Sequence, residues 1–273
     1  MDFLASLISD IVANVIFWVG LGFLTWLSIK TTQSRFQKFF GLDTNRTLVV
    51  YLSNLWRLGE ARPPGCVISG FEFRATESIS SLFGIIPFRF PNLVRGLVDA
   101  FWTRNRPRIT VSISPLAVDD LEFTSMIEFT NMIVVGGTPK NSVRRYYFRT
   151  NALYLAIEGE ERALDHTPDV FEKVLLPSVR VMKGQRKGEI IGKGYNLAIV
   201  EKIRDEEHGT VVFMCVGYRG DSSWAATEYL VRNWSRLHRI TGNKVFALCL
   251  GFPKSEVHMD SYMEPIILAS FPL

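Results

Sequence analysis

The chain has 273 residues, 47% hydrophobic and 21% charged, with a formal net charge of +4. This composition excludes a disordered or fibrous chain and allows one large domain or two small ones. The mild charge, without Lys/Arg runs interleaved with aromatics, argues against a nucleic-acid polymer as partner; the nearest stretch, FWTRNRPRITV (101–111), reads equally as a basic loop before a strand.

The first element is an apolar segment, IVANVIFWVGLGFLTWLSI, from Ile11 to Ile29, which carries no charge. As a helix it would be roughly 28 Å long, about one hydrocarbon core. A buried core helix or a signal peptide shares that character. A signal peptide needs a basic start and a small-residue cleavage site. Here the start is MDFLASLISD, and Trp26–Leu27–Ser28 is a poor site. A transmembrane anchor is therefore expected. Lys30, Arg35 and Lys38 follow it and Asp2 and Asp10 precede it. By the positive-inside bias the N-terminus lies outside, and the rest lies in the cytoplasm as a single-pass protein of the inner membrane. Asn14, Gly20, Gly22 and Thr25 suit either helix–helix contact or plain lipid exposure. TTQSRFQKFFG (31–41) keeps helical spacing, with Phe36, Phe39 and Phe40 on a partly shared face and Gly41 as a stop. Residues 1–41 thus read as anchor and juxtamembrane helix in one continuous helix, and 42–273 as a cytosolic domain.

In that domain strand-like runs alternate with helical patterns. Strands are expected at 46–52, 108–114, 131–136, 152–159, 195–203, 210–217 and 244–252. Helices are expected at 73–86, 91–102 and 222–240, with another element starting at SVRRYYF. The last helix is the clearest, with Ala225, Ala226, Tyr229, Leu230, Trp234 and Leu237 recurring at three and four. Near-continuous apolar strands between amphipathic helices predict a Rossmann-like α/β domain with a mostly parallel sheet covered by helices on both faces. The stretch 178–210, rich in Gly and Lys and without a helical pattern, predicts a hairpin and hence a mixed sheet. No internal repeat and no interdomain linker is evident.

Ligands of open α/β sheets bind beyond the carboxyl ends of the strands. Four such edges carry polar residues: Ser53 and Asn54; Ser112 and Ser114; Gly136, Gly137, Thr138, Lys140, Asn141 and Ser142; and Gly217, Gly220, Asp221, Ser222 and Ser223. In NMIVVGGTPKNSVRRYY (131–147) two glycines and polar residues join a strand to a helix. Backbone N–H groups at a helix start attract anions, but a tight turn with a capping residue has the same composition. Two such junctions together favour a bound nucleotide-like ligand. Neither matches the Walker or the G-x-G-x-x-G pattern, so neither ATP hydrolysis nor NAD redox chemistry is inferred, and no cofactor is expected.

Candidates for catalysis are few. His166 and His208 fall in loops, His238 ends a helix and His258 is near the C-terminus; all four read as surface or capping residues. Glu77, early in a helix, is the carboxylate of interest, although a glutamate there is also favoured by the helix dipole. Cys66, Cys215 and Cys249 have no metal-ligand spacing and read as reduced thiols, the last two as core residues. No metal site is expected.

FFGLDTNRTLVVYLSNLW, ESISSLFG, VVGGTPKNSVRRYYF, LAIVEKIRD, GTVVFMCVGYRGDSSWAATEYLVRNW and FALCLGFP resemble a family of bacterial membrane-anchored proteins over nearly the whole chain. The strand–loop order is distantly similar to SLOG, TIR and nucleoside deoxyribosyltransferase-like Rossmannoid domains. That resemblance implies binding or cleavage of nucleotides or NAD-like molecules, with roles in antiviral signalling. In the deoxyribosyltransferase and TIR enzymes a glutamate on a helix acts, which maps here to Glu77. The leading expectation is a sensor–effector that binds a nucleotide-derived signal, forms or rearranges a homo-oligomer, and acts on the lipid bilayer. The alternatives are a membrane-tethered nucleoside or NAD glycosyl hydrolase using Glu77, and a non-catalytic scaffold.

Overall fold

The apolar runs assemble into two sheets in the computed structural model, which describes residues 2–42, 47–53, 69–84, 108–113, 130–137, 141–158, 178–253 and 261–271. In chain order the elements are α1 (Asp2–Phe40), β1 (Thr47–Leu52), α2 (Gly70–Gly84), β2 (Arg108–Ile113), β3 (Asn131–Val135), α3 (Ser142–Arg149), β4 (Leu155–Ile157), β5 (Val179–Val181), β6 (Ile190–Ile191), β7 (Asn196–Asp205), β8 (Thr210–Gly217), α4 (Gly220–Thr241), β9 (Phe246–Phe252) and β10 (Ile266–Phe271). The helix expected at 91–102 lies outside the described residues.

The larger sheet has seven strands in the order β10-β9-β7-β8-β3-β1-β2, and the smaller has the order β4-β5-β6. The pairs β1–β2, β1–β3 and β3–β8 are parallel, and β7–β8, β7–β9 and β9–β10 are antiparallel. With the two antiparallel pairs of the small sheet, antiparallel pairings among the described residues outnumber parallel ones by five to three. The mixed sheet holds and the mostly parallel one does not. The cause is local. Only Glu206–Gly209 joins β7 to β8, and so short a link can only reverse the chain. The next connection, through α4, then skips β7 to reach β9.

Alternation along the strands sends side chains into two cores. Leu48, Val50, Ile133, Val135, Phe213 and Leu248 face one core with α2, α4 and the end of α1. Tyr51, Met132, Val134, Ile199, Met214 and Cys249 face the other. That second core is closed by Val143 and Tyr147 of α3 and by Leu155, Val179 and Ile191 of the small sheet. Among the described residues one face is thus covered by helices, and the other by one short helix and a second sheet.

Helix α1 has two parts. Its apolar residues from Val12 to Leu27 are solvent-exposed, Phe17 by 62% and Trp18 by 64%. The helix is long and apolar enough to cross a membrane. Without a break it then buries Phe36, Phe39 and Phe40 in the helix-covered core. Phe36 meets Trp234 edge-on at 5.1 Å, and Phe39 and Phe40 lie 5.1 and 5.0 Å from Phe213. Gly41, at φ 73°, stops the helix: Leu42 N–H bonds Gln37 O at 2.7 Å and Gly41 N–H bonds Lys38 O at 3.4 Å, a Schellman pattern. Asn131 fixes this end to the sheet, donating to Gly41 O at 2.7 Å and accepting from Val211 N–H at 3.1 Å. Phe36, Phe39 and Phe40, before the expected 41/42 boundary, thus share a core with β1, β3, β8 and α4.

Candidate functional site

Because β1, β3 and β8 are parallel neighbours, their carboxyl ends lie side by side. Ser53 and Gly136 follow β1 and β3 directly, and Gly217 is the last residue of β8. Among the described residues three helix N-termini serve this edge: α2, α3 and α4. A Cβ added to Gly220, at the start of α4, would lie 3.6 Å from Ser69 Oγ at the start of α2, so these two helices begin beside one another.

Gly136 is the tightest point. Its φ is 103°, and a Cβ there would lie 1.9 Å from Ser53 Oγ and 2.9 Å from Glu72 Oε1. Ser53 is buried and donates to Val135 O at 3.2 Å. Glu72 is also buried, and with Ser69 it forms a capping box. Ser69 N–H donates to Glu72 Oε2 at 3.2 Å, and Glu72 N–H donates to Ser69 Oγ at 3.1 Å. A carboxylate is favourable at that helix start.

The opening of α3 resolves the two readings of NMIVVGGTPKNSVRRYY in part. Asn141 is the cap: its Oδ1 accepts from Val143 N–H at 3.1 Å and Arg144 N–H at 3.3 Å. Its Nδ2 donates to Val135 O at 3.3 Å and reaches Tyr51 O at 3.5 Å. The side chain is fully buried, so it ties two strand ends to the helix and occupies two of the N–H groups an anion would use. Gly137 and Ser142 are half-buried beside it.

At α4 a capping serine or aspartate is not what the structure has. The N-cap is Arg219, with no side-chain cap bond. Asp221, fully buried, accepts from Ser222 N–H at 2.8 Å and pairs with Arg219 at 3.4 Å. Ser222 Oγ donates to Asn196 Oδ1 at 2.7 Å, and Gly217 N–H donates to Ser223 Oγ at 2.9 Å. A Cβ on Gly217 would lie 2.3 Å from the Ser222 Cβ, so the close approach of β8 to α4 needs a glycine here.

Of the expected site residues, Ser53, Gly136, Gly137, Asn141, Ser142, Gly217, Gly220, Asp221, Ser222 and Ser223 come together at this edge. Ser112 is half-buried on β2, opposite Tyr51. Asn54, Ser114, Thr138 and Lys140 lie outside the described residues. Glu77 is exposed on α2; the carboxylate facing the edge is Glu72, five residues earlier. The S-x-x-E spacing of Ser69 and Glu72 was the signal that could have found it.

Other titratable groups lie away from this edge. Glu201 is fully buried on β7 and accepts from Tyr154 N–H at 2.6 Å. Burial pushes its carboxyl up to about 7, against the pull of Tyr154 N–H and the Arg144 charge. Among the described residues its Oε2 has no hydrogen-bond partner within bonding geometry. His208 is buried, not a surface histidine: its Nδ1 lies 2.8 Å from Asp205 Oδ2, which also accepts from Tyr147 Oη at 2.8 Å. His238 caps its helix end at Gly242 O, 3.1 Å away. Cys215 and Cys249 are free and buried, and burial lifts both thiols to about 12. Among the described residues no group of His, Cys, Asp or Glu is placed to hold a metal ion.

No family model, no curated protein and no solved structure matches the chain.

Proposed function

We propose that the chain is a single-pass protein of the bacterial inner membrane whose Rossmann-like domain senses a nucleotide-derived ligand in the cytoplasm. The observation that carries this reading is α1: an exposed apolar half runs without a break into aromatic residues buried in the domain. So rigid a link leaves little slack between a movement of the domain and a movement of the span. In this reading Lys30, Arg35 and Lys38 mark the cytoplasmic end. The ligand lies at the edge formed by Ser53, Gly136, Gly137, Gly217 and Arg219.

The side chains at that edge narrow the ligand. Asn141 and Asp221 already accept first-turn N–H groups of α3 and α4, and Glu72 accepts the N–H of Ser69 at the cap of α2. A sugar hydroxyl or a base edge, which can donate to carboxylates and accept from Arg219, suits this lining better than a bare phosphate. The ligand drives an oligomer only by its differential affinity for the two arrangements. The resemblance to SLOG and TIR domains supplies the setting, bacterial antiviral signalling. The glycosyl-hydrolase reading has no supporting observation, since Glu77 is exposed.

The test is mass spectrometry of small molecules released from the full chain purified in detergent. A nucleotide-derived compound is expected. Its absence, together with no thermal shift on adding nucleotides or NAD, would refute the ligand reading. Alkaline phosphatase activity from a fusion after Leu273 would refute the orientation.

A further inference from the structure

We propose that the edge of the domain opposite the candidate site is a docking surface for the anionic lipid headgroups of the membrane. This rests on the reading of α1 as the anchor.

The amino ends of β1, β3 and β8 form this base of the domain. Gly41 sits on it: a Cβ there would lie 2.7 Å from Val211, the second residue of β8, and 2.8 Å from Asn131, the first of β3. Here α1 leaves the domain. From Lys30, where the apolar stretch ends, to Phe36, the first buried aromatic, there are six helical steps, or about 9 Å. That is about one Debye length at physiological salt. The base therefore faces the headgroup layer at a range where charges are felt.

The charges there are one-sided. Arg35 and Lys38 are exposed on α1, Arg236 and Arg239 are exposed on the last turns of α4, and Lys244 is exposed before β9. Arg108 at the start of β2, Arg149 at the end of α3 and Arg204 at the end of β7 extend the ring. Against them the described residues set two exposed carboxylates, Glu206 and Glu207 in the β7–β8 turn. None of these cations forms an ion pair with a described carboxylate. Several unpaired cations held close to a surface are what an anionic leaflet attracts. Arg35 and Lys38, which follow the anchor in sequence, would give topology alone. Those that only folding brings to the base would set the tilt of the domain, and with it the distance of the candidate site from the bilayer.

The full chain is reconstituted in vesicles of phosphatidylcholine, with or without phosphatidylglycerol, each carrying a headgroup nitroxide lipid. A fluorophore is attached through Ile240→Cys, a 57% exposed position beside Arg239, in a chain carrying Cys66→Ser. Quenching is expected to be about two-fold or more stronger in the anionic vesicles, and to fall to the neutral-vesicle level at high salt. The triple variant Arg236→Gln/Arg239→Gln/Lys244→Gln should lose most of the difference between the two vesicle types. Equal quenching in both vesicle types, or a difference that neither salt nor the variant reduces, would overturn the proposal. Retention of the chain after an alkaline carbonate wash reads the anchor separately. A retained chain with lipid-independent quenching defeats only the headgroup surface, while a released chain defeats the anchor and the fixed spacing built on it.

Discussion

The ring of Phe39 stacks on that of Phe246, with centroids 6.2 Å apart and planes 17° apart. Lys202, 2% exposed, lies over the Phe39 ring with its Nζ 4.8 Å from the centroid. The last turn of a helix whose other half is apolar and exposed is therefore part of the hydrophobic core.

The first prediction follows for truncation. A chain starting at Thr31 should fold, because the apolar residues Val12–Leu27 before it are exposed and outside the described core. A chain starting at Leu42 loses Phe36, Phe39 and Phe40 and should show no cooperative unfolding. Phe39→Ala in the Thr31 chain should cost about 3–5 kcal/mol. Urea unfolding followed by tryptophan fluorescence measures all three, and a cooperative Leu42 chain would refute the packing argument.

A second prediction concerns Gly136. Alanine there must hold a positive φ and displace Ser53. Backbone strain alone costs about 1–3 kcal/mol, and the clash adds to it. Gly136→Ala should lower the melting temperature, and Ser53→Gly in the same chain should restore part of the loss. Two independent, additive losses would show that the two residues do not press on each other.

Asn141→Ala should be more costly than loss of an ordinary exposed cap. The cap itself accounts for about 1–2 kcal/mol. The buried Val135 O loses a donor as well. Asn141→Asp keeps the acceptor and loses the donor, so it should fall between wild type and alanine in denaturant midpoint.

The carboxylates of α2 should separate cleanly. Glu72→Ala removes a charged acceptor from Ser69 N–H and should cost about 1.5–3 kcal/mol. Glu77→Ala, at an exposed position, should stay within about 0.5 kcal/mol. If Glu77→Ala abolished turnover of a nucleoside or NAD, the enzyme reading would replace the sensor.

Glu201 predicts a pH dependence. Its carboxyl is raised by burial from the ordinary 4.5 to about 7. Between those values the folded state binds more protons than the unfolded one, so its contribution falls as pH rises and levels off above 7. The loss is on the order of a few kcal/mol. Glu201→Gln should flatten this fall. Urea midpoints of wild type and variant at pH 5 and pH 8 test it. A wild type that gains stability over the variant with rising pH would reverse the sign.

How much was legible in the sequence differs by level. The strands β1, β2, β3, β8 and β9 and the helices α2 and α4 follow from apolar runs and a 3.6-residue period, because those patterns report which side of an element meets the core. Strand β10 was not anticipated. IILASF has one buried residue, Ala269, and Ile266 and Ile267 are exposed, so at the sheet edge its pattern carries little signal. The short strands β5 and β6 lay within a predicted hairpin, and neither is long enough for a period to show.

By itself the sequence determined the local features: an uncharged apolar stretch, the stop at Gly41, a polar cap after Gly136–Gly137, and an amphipathic last helix. These depend on residues within a few positions of one another, where propensity and capping act. Only the tertiary structure decided that Phe36, Phe39 and Phe40 belong to the domain, that β7 runs antiparallel, that Glu72 and not Glu77 faces the candidate edge, and that the neighbours Glu201 and Lys202 are both buried. Each of those outcomes depends on partners far away in the chain. Asn131 reaches Gly41 over 90 residues and Glu201 reaches Tyr154 over 47. Whether a charge or an aromatic ring is buried is settled by which distant surface closes over it, and no local pattern encodes that surface.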